Sequence, residues 1–225
     1  MNAGRILLAA VCVCGSAVGC AGATDAVAPH PAPGPMTVTA ASQRDHVYVY
    51  LLNGLDPLFF CQFNKMPDYV RSLGYEHVSM GQMIAKDRFL DDIRHVRASD
   101  PSARIVLLGF STGANTVCAM SHTLQDEGCP VDLLIYLGGC YIYNNDSSRP
   151  ENVKRIVNIR DSGLVTVSGG LLRGEDLDGA ENVKIPGVTL HIMTPINTVT
   201  QETLARELAA LALDASAPPP QPVKK

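Results

Sequence analysis

His46–Leu52 (HVYVYLL) is nearly continuous in apolar and aromatic residues. A strand with one wet face alternates, whereas a strand this continuous needs cover on both faces, as in a parallel sheet under helices. Further strand candidates follow at Glu76–Met80, Arg104–Leu108, Asp132–Leu137, Val153–Ile159 and Asn182–Ile185. Helical patterns lie between them. Residues 87–98 put Phe89, Leu90, Ile93 and Val96 on one face at helical spacing. Residues 58–73 read as a helix broken near Pro67 and ended by Gly74. Two more helices are read at 112–125 and 201–213. Strands alternating with helices predict βαβ units, and so a mostly parallel sheet of about six strands with right-handed crossovers.

The ends of the chain read differently. Residues 1–23 have one early positive charge at Arg5, the apolar run Ile6–Cys14, and then small residues. That is an export signal, too short for a permanent membrane span. Two processing readings stay open. Ala17-Val18-Gly19-Cys20 resembles a lipobox that would lipidate Cys20 and attach the protein to a membrane, and Ala21-Gly22-Ala23 fits simple secretion. Residues 24–42 are rich in Pro, Ala and Thr and read as a tether. Residues 43–213 form the folded domain, and 214–225 a loose tail. Four cysteines fall in the domain: Cys61, Cys118, Cys129 and Cys140. In an exported chain an even number permits two disulfides, and buried thiols are the alternative. No Cys/His spacing suggests zinc. A net charge of −4 without a basic patch argues against nucleic acid as a partner.

Chemistry concentrates at Gly109-Phe110-Ser111-Thr112-Gly113. The motif leaves an apolar strand and enters a helical pattern, the context that a Gly-x-Ser-x-Gly nucleophile elbow demands. The competing reading is a glycine-lined turn with a capping serine. A nucleophilic serine needs a base later in the chain. His122 lies about three turns along the elbow's own helix and cannot reach. His191 follows the last strand region and precedes the last helix, so it is the candidate base. Asp161 is the first carboxylate past the strand ending at Ile159, placed to orient an imidazole. Asp176 and Asp178 are its rivals. An oxyanion hole is expected from the backbone N–H of Thr112 and that of Leu55, with Gly54 allowing close approach. Nothing in this scheme calls for a metal or cofactor.

Three stretches carry a resemblance to the α/β-hydrolase superfamily, and more narrowly to small, lidless secreted bacterial lipases. They are VYLLNGL (49–55), IVLLGFSTGAN (105–115) and LDGAENVKIPGVTLH (177–191). The last resembles the segment that leads to the catalytic histidine in those lipases, and so points to His191. Asn53 stands where they carry His, Asp56 where many carry Gly, and Leu190 is an extra residue before His191. The resemblance implies a compact α/β-hydrolase fold and a serine esterase with a Ser111-Asp161-His191 triad, acting on a small-molecule or lipid ester. It also implies an open site rimmed by Tyr141, Tyr143, Phe59 and Phe60. An acyltransferase or thioesterase on the same machinery, and a non-catalytic binding protein, are the alternatives.

Overall fold

The structure, a computed structural model, describes residues 43–56, 58–139, 149–161, 166–167, 170–171, 176–187 and 190–214. The leader, the tether, the tail beyond Asp214, Cys140, Tyr141 and Tyr143 lie outside these residues. Six parallel strands make one sheet: β1 (Val47–Asn53), β2 (His77–Gln82), β3 (Arg104–Phe110), β4 (Leu133–Leu137), β5 (Ile156–Arg160) and, after a small antiparallel pair β6 (Thr166–Val167) and β7 (Gly170–Leu171), β8 (Glu181–Lys184). Their order is β2-β1-β3-β4-β5-β8. The helices are α1 (Met66–Ser72), α2 (Lys86–Ser99), α3 (Thr112–Asp126) and α4 (Thr198–Asp214). This parallel sheet with helices on both faces is the α/β-hydrolase arrangement expected from the sequence.

Side chains alternate across the pleat, so each strand feeds two cores. Val49, Leu51, Val106, Leu108, Ile135 and Leu137 pack on one face with Val70 of α1 and Leu204 and Leu208 of α4. Tyr50, Leu52, Ile105, Leu107, Leu134 and Tyr136 pack on the other with Ile93 of α2 and Val117 and Met120 of α3. Each of these larger side chains stabilises the fold by about 1.5–3 kcal/mol when fully buried, which is why the central runs had to be apolar throughout. At the strands' amino ends the buried Asp132 carboxylate accepts hydrogen bonds from the Ile105 amide (2.8 Å), Lys154 (2.7 Å) and Arg97 (3.0 Å). It clamps β3, β4 and α2 far from the motif at the other end. Among the described residues no helix is long and apolar enough to cross a membrane.

One expectation needs correction. Residues 58–73 are not one helix: a 3-10 turn at Phe63–Lys65 leads into α1, with Pro67 in its first turn. Pro67 starts the helix because its missing N–H costs nothing there. Upstream, Phe59 and Gln62 have positive φ, +56° and +54°, which no helix tolerates. The Asp56 carboxylate holds this loop by accepting the amides of Phe60 and Cys61, each at 2.9 Å.

For the cysteines, two disulfides and buried thiols were both open. Cys61, Cys118 and Cys129 are thiols in this structure. Burial, with a hydrogen bond to Asp56, pushes the Cys61 thiol up to about 12. A pKa there leaves roughly one part in 10⁴ as reactive thiolate at pH 8. Cys61 in the folded protein is therefore expected to alkylate with iodoacetamide at least ~10²-fold more slowly than after denaturation. Peptide mass spectrometry would follow the site, and equal rates in the two states would contradict its burial.

Candidate active site

The carboxyl ends of β1, β3, β4 and β5 converge on one edge of the sheet, where sites collect in open parallel sheets. Ser111 directly follows β3 and caps α3. Its backbone sits at φ +56°, ψ −125°, a conformation that costs a non-glycine residue about 1–3 kcal/mol. The turn holds because the two glycines let the chains close up. A Cβ on Gly109 would collide with the backbone of Gly113, and one on Gly113 with the carbonyl of Leu52 in β1. The Ser111 amide donates to the Leu137 carbonyl at 2.9 Å, tying the corner to the end of β4. The amino end of α3 faces this corner and brings partial positive charge with it.

His191 opens a 3-10 turn, His191–Ile196, ahead of α4. Its Nδ1 lies 2.7 Å from Asp161 Oδ2, at the end of β5. An ionised carboxylate only accepts, so Nδ1 carries the proton and Nε2 presents its lone pair. Both side chains are largely buried. The imidazole stacks on Phe110, the residue before Ser111, with ring centres 4.9 Å apart and planes 21° off parallel. Phe110 stacks in turn on Phe63 at 5.7 Å. The elbow and the imidazole loop are thereby packed against one another through a shared ring.

The rival carboxylates stand elsewhere. Asp176 pairs with Arg160 at 2.6 Å and is well exposed, and the Asp178 carbonyl accepts from Arg149 at 3.0 Å. His122 is half-buried on α3, as its spacing implied. Leu55 is exposed, and its amide donates to Thr112 Oγ1 at 3.2 Å. Asp56, which stands where many of the lipases carry Gly, turns its carboxylate to the amides of Phe60 and Cys61. Asn53 is fully buried and donates from Nδ2 to the Asp56 carbonyl at 3.2 Å, so it braces the same loop.

Three residues went unnoticed in the sequence. Thr194 is buried and donates from Oγ1 to Asp161 Oδ2 at 2.9 Å, a second hold on the carboxylate. Phe110 supplies the ring under the imidazole. Gly138 follows β4 at φ +55°, and a Cβ there would stand 2.9 Å from both Asp161 Oδ2 and His191 Cε1. The Gly138-containing stretch LGGC could have flagged a close approach, since glycine after a strand often marks one. Gly138→Ala is expected to push the imidazole and the carboxylate apart and so to break their 2.7 Å hydrogen bond. An imidazole N–H proton resonance unchanged from wild type, in a variant of unchanged secondary structure, would show that the pair tolerates the intrusion.

No protein-family model matches the chain, and no curated protein matches it. Its fold is similar to that of human thioesterase 2, at 8% identity over 76% of this chain and 99% of that one, with a TM-score of 0.47. It is also similar to a predicted CIB-like hydrolase from Thermoplasma acidophilum, at 16% identity over 72% and 87% of the two chains, TM-score 0.45. A cutinase-like protein from Cryptococcus sp. gives 13% identity over 76% and 97%, TM-score 0.39.

Proposed function

We propose that this α/β-hydrolase-fold chain is a serine hydrolase of carboxylic esters. In this reading Ser111 Oγ attacks the ester carbonyl and passes its proton to His191 Nε2. The tetrahedral intermediate collapses, the leaving alkoxide takes that proton, and an acyl-Ser111 remains. Water, deprotonated by His191, then releases the acid and restores the serine. Asp161 holds Nδ1–H and offsets the positive charge on the imidazolium. Thr194 keeps Asp161 from turning.

The observation that carries the reading is the buried His191–Asp161 pair, stacked on the residue next to a serine held at a strained corner. Strain of this kind survives only where the surrounding packing enforces it, and it clusters at working sites. The surroundings favour an apolar substrate. Leu55, Leu58 and Phe60 on the loop after β1, and Leu190, Ile192 and Met193 around His191, all expose large apolar surface. Side chains of this kind can cover an alkyl or acyl chain and exclude water from the ester.

A fluorophosphonate probe tests the assignment directly, because it phosphonylates only an activated serine. Wild-type protein is expected to label, and Ser111→Ala is not. Labelling that persists in Ser111→Ala would move the nucleophile to another residue. No labelling of folded wild-type protein would remove the hydrolase reading altogether.

A further inference from the structure

The hydrogen bond between Leu55 and Thr112 gives the oxyanion site an unusual construction. Backbone amides alone were expected there, from Leu55 and Thr112. The Leu55 amide, however, already donates to Thr112 Oγ1 at 3.2 Å, across 57 residues of sequence. Thr112 is the first residue of α3, immediately after Ser111, and is half-buried. Gly54 is the residue that permits the contact. A Cβ on Gly54 would lie 2.8 Å from Thr112 Oγ1 and 3.0 Å from Ser111 Cβ, filling the space over the serine. The Thr112 hydroxyl therefore sits between the loop after β1 and the nucleophile.

We infer that the Thr112 hydroxyl is a catalytic group that donates a hydrogen bond to the oxyanion, with the Leu55 amide as its positioning partner. This inference rests on the serine-hydrolase reading above. A hydroxyl has one proton to donate and two lone pairs to accept with. Leu55 N–H occupies one lone pair and polarises the O–H bond, which strengthens the hydroxyl as a donor. Among the described residues no acceptor takes the hydroxyl proton in the resting structure. When Ser111 Oγ bonds to the ester carbon, the carbonyl π electrons move to oxygen, and that oxygen develops its charge beside the residue that follows Ser111. One residue then supplies two donors, its backbone N–H and its side-chain O–H. Both are set before the reaction starts, which is the condition under which such donors lower the barrier most. Leu55 contributes through Thr112 without touching the substrate.

The experiment compares Thr112→Val, which keeps the branched shape and loses the hydroxyl, with Thr112→Ser, which keeps the hydroxyl and loses the methyl. The probe substrate is p-nitrophenyl butyrate, with melting temperature measured for each protein. Thr112→Val is expected to lose about 10²- to 10³-fold in kcat with little change in KM, the range for removal of one oxyanion donor. Thr112→Ser is expected to recover most of that loss. Thr112→Ala serves as a second hydroxyl-free variant if valine lowers the melting temperature. Undiminished or faster turnover in Thr112→Val would overturn the inference and make the released Leu55 amide the direct donor. A Thr112→Ser variant as slow as Thr112→Val would also overturn it, since the methyl would then be the group that matters. Fluorophosphonate labelling of the wild type separates the two failures. A protein that labels at Ser111 but ignores the loss of the Thr112 hydroxyl keeps its hydrolase assignment and loses only this one.

Discussion

His191→Ala should lower ester turnover by about 10⁴- to 10⁶-fold, the scale on which a catalytic base and its serine act as one unit. The reason lies in the proton. Without an acceptor, Ser111 Oγ attacks as a neutral hydroxyl, and the leaving alkoxide has no acid to protonate it. His191, the base in the proposed reaction, is held on two sides, by Asp161 at 2.7 Å and by the Phe110 ring at 4.9 Å. Fold stability should change far less than activity. The substitution removes one aromatic contact, worth about 0.5–1.5 kcal/mol beyond its buried area. It also leaves Asp161 with Thr194 as a remaining partner. Initial rates on p-nitrophenyl esters, read beside a melting curve, check both halves. Turnover within tenfold of wild type would exclude His191 as the base.

Gly113→Ala should unfold the corner, with a loss on the order of 4 kcal/mol, at the top of the range for single substitutions. The added methyl meets the Leu52 carbonyl in β1, a backbone atom in the middle of the sheet that cannot turn aside as a side-chain tip would. Relief requires α3 to lift away from β1 and β3. That movement would open the packing of Ala114, Val117 and Met120 against the sheet. For a domain of this size each kcal/mol lowers the melting point by roughly 2–4 °C. The expected shift is therefore about 10 °C, with loss of activity, in a residue that has no chemistry of its own. A melting temperature within about 2 °C of wild type would mean that the close approach of helix and strand is not required.

These two cases differ in how far the sequence foretold them. The Gly109/Gly113 spacing could be read directly, because a strand, a sharp turn and a helix are local patterns. The same holds for the parallel sheet, whose apolar runs announce cover on both faces. Ser111 and Asp161 were legible from the strand ends they follow, and His191 from lying between the last strand region and the last helix. The loop after β1 was misread, because Phe59 and Gln62 adopt positive φ only once the Asp56 carboxylate has captured two amides. No periodicity encodes that capture.

Thr194, Phe110 and Gly138 were missed for a related reason. A threonine in a turn and a phenylalanine at the end of a strand are common, and the Gly138-Gly139 pair after β4 signals a close approach without saying to what. Their roles come from partners far away in the chain: Asp161 is 33 residues from Thr194, and Leu55 is 57 from Thr112. The sequence alone thus determined the strand–turn–helix grammar and the candidates at each strand end, since these depend on spacing along the chain. Only the tertiary structure decided which side chains meet across the crest of the sheet. Those contacts depend on strand order and the packing of six carboxyl ends against one another, which no single segment contains.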